Sequence, residues 1–98
     1  MTTKLDDDAL AEVLAGYCHV AGIETNKCAM TMVRAGADPI HPEGYVVVEF
    51  RGKTLTFEML ERASRLFGSR TIDVGCDHGC ASDPCHETNI TFWGAKGL

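Results

Sequence analysis

Five side chains able to hold a soft metal ion fall within residues 76–86: Cys76, His78, Cys80, Cys85 and His86. Zinc favours four thiolate or imidazole ligands in a tetrahedron, with ligand pairs spaced roughly two to four residues apart. The run Cys76-x3-Cys80-x4-Cys85 fits that spacing, and either His78 or His86 completes a Cys3His set. Cys18, Cys28 and His41 are further ligand candidates if the fold brings them near. Gly79 and the Asp83-Pro84 pair let the chain double back, which convergence requires. Such a zinc would be structural, because a short domain with a thin core gains stability from a metal that closes a long connection. The diagnostic C-x2-C knuckle is absent, and the spacing matches no standard iron–sulfur pattern.

Two other chemistries use the same residues. Cys76 continues the parity of Ile72 and Val74, so packing as a small hydrophobe accounts for it as well. Cys85 beside His86, or Cys80 near His78, has the residue types of an activated thiol, which needs its base within hydrogen-bond reach. No cysteine-hydrolase signature and no C-x-x-C redox pair accompanies them. The cysteines number five, an odd count that suits free thiols or a metal better than a closed disulfide framework.

Those residues need elements to position them, and the chain of 98 residues is short enough for one domain, 1–98, with one core. Asp6, Asp7 and Asp8 open a helix over residues 6–20, where carboxylates cap free N–H groups and complement the helix dipole. Leu10, Val13, Leu14, Tyr17 and Cys18 recur at helical spacing, and Gly22 ends the run. Residues 25–35 read preferentially as a helix capped by Asn26 and closed by Gly36, with a short strand over 28–33 as the other reading.

The segment Tyr45 to Arg51 is the clearest strand, and its continuous apolar centre suggests burial on both faces. Thr56 caps a helix that runs to Phe67 with Met59, Leu60, Ala63, Leu66 and Phe67 as its inner stripe, and Gly68 closes it. Residues 71–76 and 87–93 alternate as strands that pair antiparallel through the loop 77–86, while the tail from Gly94 is expected to fray. The fold class is therefore α+β: a small antiparallel or mixed three-stranded sheet with two or three helices packed on it.

Charge narrows the function. The net charge is −5, and all of it lies in residues 1–49, which hold three Lys and Arg against eight Asp and Glu. A protein that grips nucleic acid needs a basic footprint, so direct nucleic-acid binding is excluded as the expected role, and a protein partner with a basic surface is favoured. No apolar run reaches the roughly 18 residues of a membrane span, and no apolar stretch follows Lys4 as in a secretory signal. The expected setting is the cytoplasm, with no membrane partner. The residues expected to contact a partner are Asp6, Asp7, Asp8, Glu12 and Trp93, the last because strand parity turns it away from Ile90 and Phe92. Exposed aromatic or edge-strand surface is also compatible with a homodimer.

No phosphate-binding glycine loop or nucleophile elbow is present, and so short a chain has little room for a deep pocket. The expected role is a non-enzymatic interaction module. In size, charge and setting the chain resembles the small acidic inhibitors encoded by phages and mobile elements, anti-CRISPR proteins among them. That resemblance of bulk properties implies docking on a basic surface of a nucleic-acid-binding complex. The alternative is a small zinc-stabilised binding domain built on residues 76–86.

Overall fold

A computed structural model describes residues 5–25, 29–51, 55–75 and 87–98. Within them the chain forms α1 (Asp7–Ala21), β1 (Met30–Val33), β2 (Tyr45–Arg51), α2 (Phe57–Phe67), β3 (Thr71–Gly75) and β4 (Glu87–Trp93). The strands make one antiparallel sheet in the order β1-β2-β4-β3. Both β2 and β3 run antiparallel to β4, so they are parallel to each other with β4 between them, a split β-α-β unit.

Both helices are set by local chemistry. The Asp6 side chain accepts a hydrogen bond from the Ala9 N–H at 2.7 Å, and Gly22 ends α1 in the left-handed conformation. The Thr56 hydroxyl accepts from the Met59 N–H at 3.2 Å, the Thr56 N–H reaches back to Met59 Sδ, and Gly68 closes α2. On its outer side α2 carries the ion pairs Glu58–Arg62 and Glu61–Arg65, each spanning one turn.

The helices lie on one face of the sheet. Leu10, Leu14, Cys18 and Ala21 of α1 and Ala63 and Phe67 of α2 share a core with Val46, Val48 and Phe50 of β2 and Ile90 and Phe92 of β4. Phe67 stacks on Phe92 with ring centroids 4.2 Å apart, and Tyr17 meets Phe67 edge-on at 5.8 Å.

Three expectations are corrected. The sheet has four strands, because Met30–Val33 is a strand and no helix forms there: Met30 and Met32 pair with Val48 and Val46 and pack on the core. That hydrogen-bonded neighbour overrides the weak helical signal of so short a stretch. Next, β2 is buried on one face only: Val46, Val48 and Phe50 are inside, whereas Tyr45 and Val47 are half-buried and Glu49 is exposed. Finally, the tail does not fray. Ala95 is buried, the Lys96 N–H donates to the Phe67 carbonyl at 2.6 Å, and the Ala35 N–H donates to the Leu98 carbonyl at 2.9 Å. Among the described residues no helix is long and apolar enough to cross a membrane.

Candidate functional site

The face of the sheet turned away from the helices carries a cluster of three rings. Tyr45 and Trp93 are direct cross-strand partners on β2 and β4, and their rings lie 4.8 Å apart at 53°. Such pairs are the unit of sheet stabilisation and need only correct parity and register.

The third ring comes from the loop between β1 and β2. Asp38 shapes that loop by accepting from the Ile40 N–H with its side chain (2.9 Å) and from the His41 N–H with its carbonyl (3.1 Å). Gly44 then returns the chain to β2 with φ +75°, and a Cβ there would sit 2.5 Å from the Val33 carbonyl oxygen. Only glycine suits both that conformation and that approach. His41 is thereby laid on Trp93 at 4.7 Å and set edge-on to Tyr45 at 5.8 Å.

Two carboxylates border the rings. The Trp93 indole N–H donates to Asp73 Oδ2 at 2.7 Å across to β3, where Thr71 is the direct partner of Trp93. Glu43 stands on the other side, and His41, Glu43, Thr71 and Trp93 enclose an open hollow of about 220 Å³. Ring faces carry negative charge in their quadrupole, so aromatic surface beside carboxylates suits a cation.

The start of α1 reaches the same end of the sheet. Arg34, which directly follows β1, donates through Nε and Nη2 to Asp7 Oδ1 at 3.0 and 2.8 Å. Its Nη2 also donates to the Leu5 carbonyl at 2.6 Å and its Nη1 to the Gly97 carbonyl at 2.9 Å. One guanidinium thus ties together α1, β1 and the C-terminal tail, using the planar fork that lysine lacks.

Of the acidic residues singled out from sequence, Asp6 caps α1 and Asp7 pairs with Arg34, yet both stay exposed at the surface, as do Asp8 and Glu12. Trp93 lies on the open face as its parity requires, half-buried by its ring neighbours. Tyr45, Asp73, Glu43 and Thr71 did not emerge from sequence, and His41 emerged only as a ligand candidate. Parity places Tyr45, Thr71 and Asp73 beside Trp93 once β2 is read as one-sided, but nothing local announces the return of His41.

The metal-ligand candidates Cys76, His78, Cys80, Cys85 and His86 lie outside the described residues, as does Cys28. Cys18 is fully buried on the inner face of α1, and burial pushes its thiol up from the ordinary 9.0 to about 12, so at neutral pH it is an unreactive packing group. His41 is engaged in the ring cluster. Among the described residues no three His, Cys, Asp or Glu side chains form a metal-holding group.

A second hollow, about 410 Å³, lies between α2 and β3 against Phe57, Leu60, Ile72 and Val74 and is edged by Glu61, Arg65 and Arg70. Its lining is apolar with mixed charge. Comparison with protein-family models, with curated proteins and with solved structures gives no match.

Proposed function

We propose that this chain is a small, non-enzymatic protein–protein interaction module that docks its acidic end on a basic surface of a nucleic-acid-binding complex, as an inhibitor of the phage or mobile-element (anti-CRISPR-like) kind does. The observation that carries the reading is that carboxylates and rings stand at the same end of the sheet, the α1 carboxylates on the helix side and the rings on the open side. Asp6, Asp7 and Asp8 at the start of α1 share that end with Glu43, Asp73 and Trp93. Opposite charge steers such a partner in and fixes its orientation. Central aromatic rings supply the area that interfaces favour. The net charge of −5 favours docking by protein contact over a direct hold on nucleic acid, which needs a basic footprint.

The test is substitution of Asp6, Asp7, Asp8 and Glu12 by Asn or Gln. Asn keeps the oxygen with which Asp6 caps α1 and the one with which Asp7 accepts from Arg34, so both contacts keep an acceptor while charge is removed, and a folded far-UV spectrum is required of the variant. Binding to an arginine-rich peptide is expected to weaken and to lose most of its salt dependence. Affinity and salt dependence that match the unsubstituted protein would overturn the reading.

A zinc-stabilised binding domain is the second reading, with Cys76, His78, Cys80, Cys85 and His86 as ligand candidates. It is favoured by the pairing of β3 with β4, in which Gly75 lies opposite Asn89, so both ends of the 76–86 segment spring from neighbouring strands. Elemental analysis of protein purified without chelator is expected to give stoichiometric zinc, lost with Cys80→Ser. A metal-free, folded protein would end that reading.

A further inference from the structure

We infer that the hollow between Trp93 and Glu43 is a receptor for a single arginine side chain of the partner. This deepens the docking reading and rests on it, because it names the group that the acidic end recognises.

Four features converge on a guanidinium. The hollow is open and lined by the rings of Trp93 and His41, tilted 47° to each other, so a group entering it meets aromatic surface. Arginine stacks on aromatic faces, whereas the ammonium of lysine is a compact and strongly hydrated point charge. Glu43 supplies a carboxylate at the rim, the geometry that the guanidinium fork meets with two parallel hydrogen bonds. Thr71 adds a hydroxyl acceptor on the strand side. The indole N–H is already committed to Asp73 at 2.7 Å. That bond fixes the ring plane and places a negative charge at its edge, which strengthens the pull of its face on a cation. The donor edge of the indole is thus closed to a ligand, and what Trp93 offers the hollow is ring surface.

The second hollow offers a contrast. Between α2 and β3 the walls are Phe57, Leu60, Ile72 and Val74, and two arginines, Arg65 and Arg70, stand there against one carboxylate, Glu61, which is already paired with Arg65, so a cation entering meets net like charge. The Trp93 hollow, by contrast, sets its rings beside the Glu43 carboxylate with no arginine or lysine in its lining.

Trp93 is the only tryptophan in the chain, so its fluorescence and its indole N–H resonance report on this hollow alone. The experiment titrates the whole protein with argininamide, and then with an arginine-rich peptide and its lysine and citrulline counterparts of equal length. Argininamide carries one guanidinium and no further basic side chain, so it probes a single-arginine receptor apart from docking by a run of charges. It is expected to shift the Trp93 indole signal in a saturable way, and Glu43→Gln should weaken it by about tenfold. Among peptides, arginine should bind several-fold more tightly than lysine, and citrulline, which keeps the shape without the charge, should not move the signal.

A Trp93 signal unmoved by argininamide, or equal response to arginine and lysine, would overturn the inference. The two readings fail separately. If neutralising the α1 carboxylates abolishes peptide binding while the Trp93 signal never responds, the hollow is not the receptor and charge docking stands. If argininamide shifts Trp93 through Glu43 while α1 neutralisation leaves peptide binding unchanged, the receptor stands and docking through α1 fails.

Discussion

Alternate residues of β2 and β4 stand in two different media. On the helix side, Val46, Val48, Phe50, Ile90 and Phe92 are each no more than 3 % exposed, and Phe67 of α2 closes over them. On the other side, Tyr45, Val47, Thr91 and Trp93 are only half-buried, and the rings cover one another with help from His41. The first face is held by apolar area removed from water, which is large and indifferent to direction. The second is held by ring geometry and one charge-assisted hydrogen bond, which are smaller in energy but directional. A face of that second kind keeps a fixed shape while remaining available to a partner.

The sharpest way to break this comparison is to empty the helix side. Phe92→Ala is expected to cost about 3–5 kcal/mol in urea unfolding, a large part of what a small domain has. A cost below about 1 kcal/mol would mean that the helix-covered face is not the core.

Next comes the loop that delivers His41. Gly44→Ala forces a side chain into a positive-φ position and against the Val33 carbonyl. It is expected to destabilise by about 1–3 kcal/mol and to alter Trp93 fluorescence as His41 leaves the ring. Unchanged emission would show that the stack does not depend on this turn.

Trp93→Ala, one residue along β4 from Phe92, should cost only about 1–2 kcal/mol, because it removes ring pairs and one hydrogen bond from a half-solvated face. Equal losses for Phe92→Ala and Trp93→Ala would erase the distinction between the faces.

The smallest effect sharpens the picture of the inner face. Cys18 is neutral in the fold, with its thiol raised from 9.0 to about 12. The unfolded chain releases that proton first, so stability from burying the thiol is complete below about pH 9 and is lost as pH climbs toward 12. Cys18→Ala is expected to cost about 1 kcal/mol at neutral pH. That gap should close across this alkaline window, measured by unfolding at stepped pH. A gap constant with pH would contradict burial of the neutral thiol.

Both helices were legible in sequence because their signals are local. Asp6 with Gly22, and Thr56 with Gly68, bracket stripes of helical period, and the hydrogen bonds of each cap stay within its own helix. β1 was legible only as the second reading of an ambiguous stretch, since Met30-Thr31-Met32-Val33 is too short to show a period and becomes a strand through its partner β2. The tail failed for the same reason: Ala95 and Leu98 are held by residues more than twenty positions away, and nothing in Gly94 to Leu98 encodes that dock. Within the candidate site, parity gave Trp93. His41 reaches it only through the Asp38 turn and Gly44, a path that exists in three dimensions alone.

The position of β4 has a consequence for how the molecule assembles. It follows β2 and β3 in the chain and yet lies between them, paired with both along most of its length. Before it inserts, β1 and β2 form a hairpin, while β3 has no strand beside it. The decisive step is therefore the threading of a single late segment into a gap, and its ring-bearing end arrives with Trp93. Pairings so distant in sequence slow the search. Until that step both flanks of the gap are raw sheet edges, which join to other chains as readily as to their own. Rapid production of this protein should therefore favour species that have exchanged β4 between copies, and slow refolding at high dilution should favour the monomer.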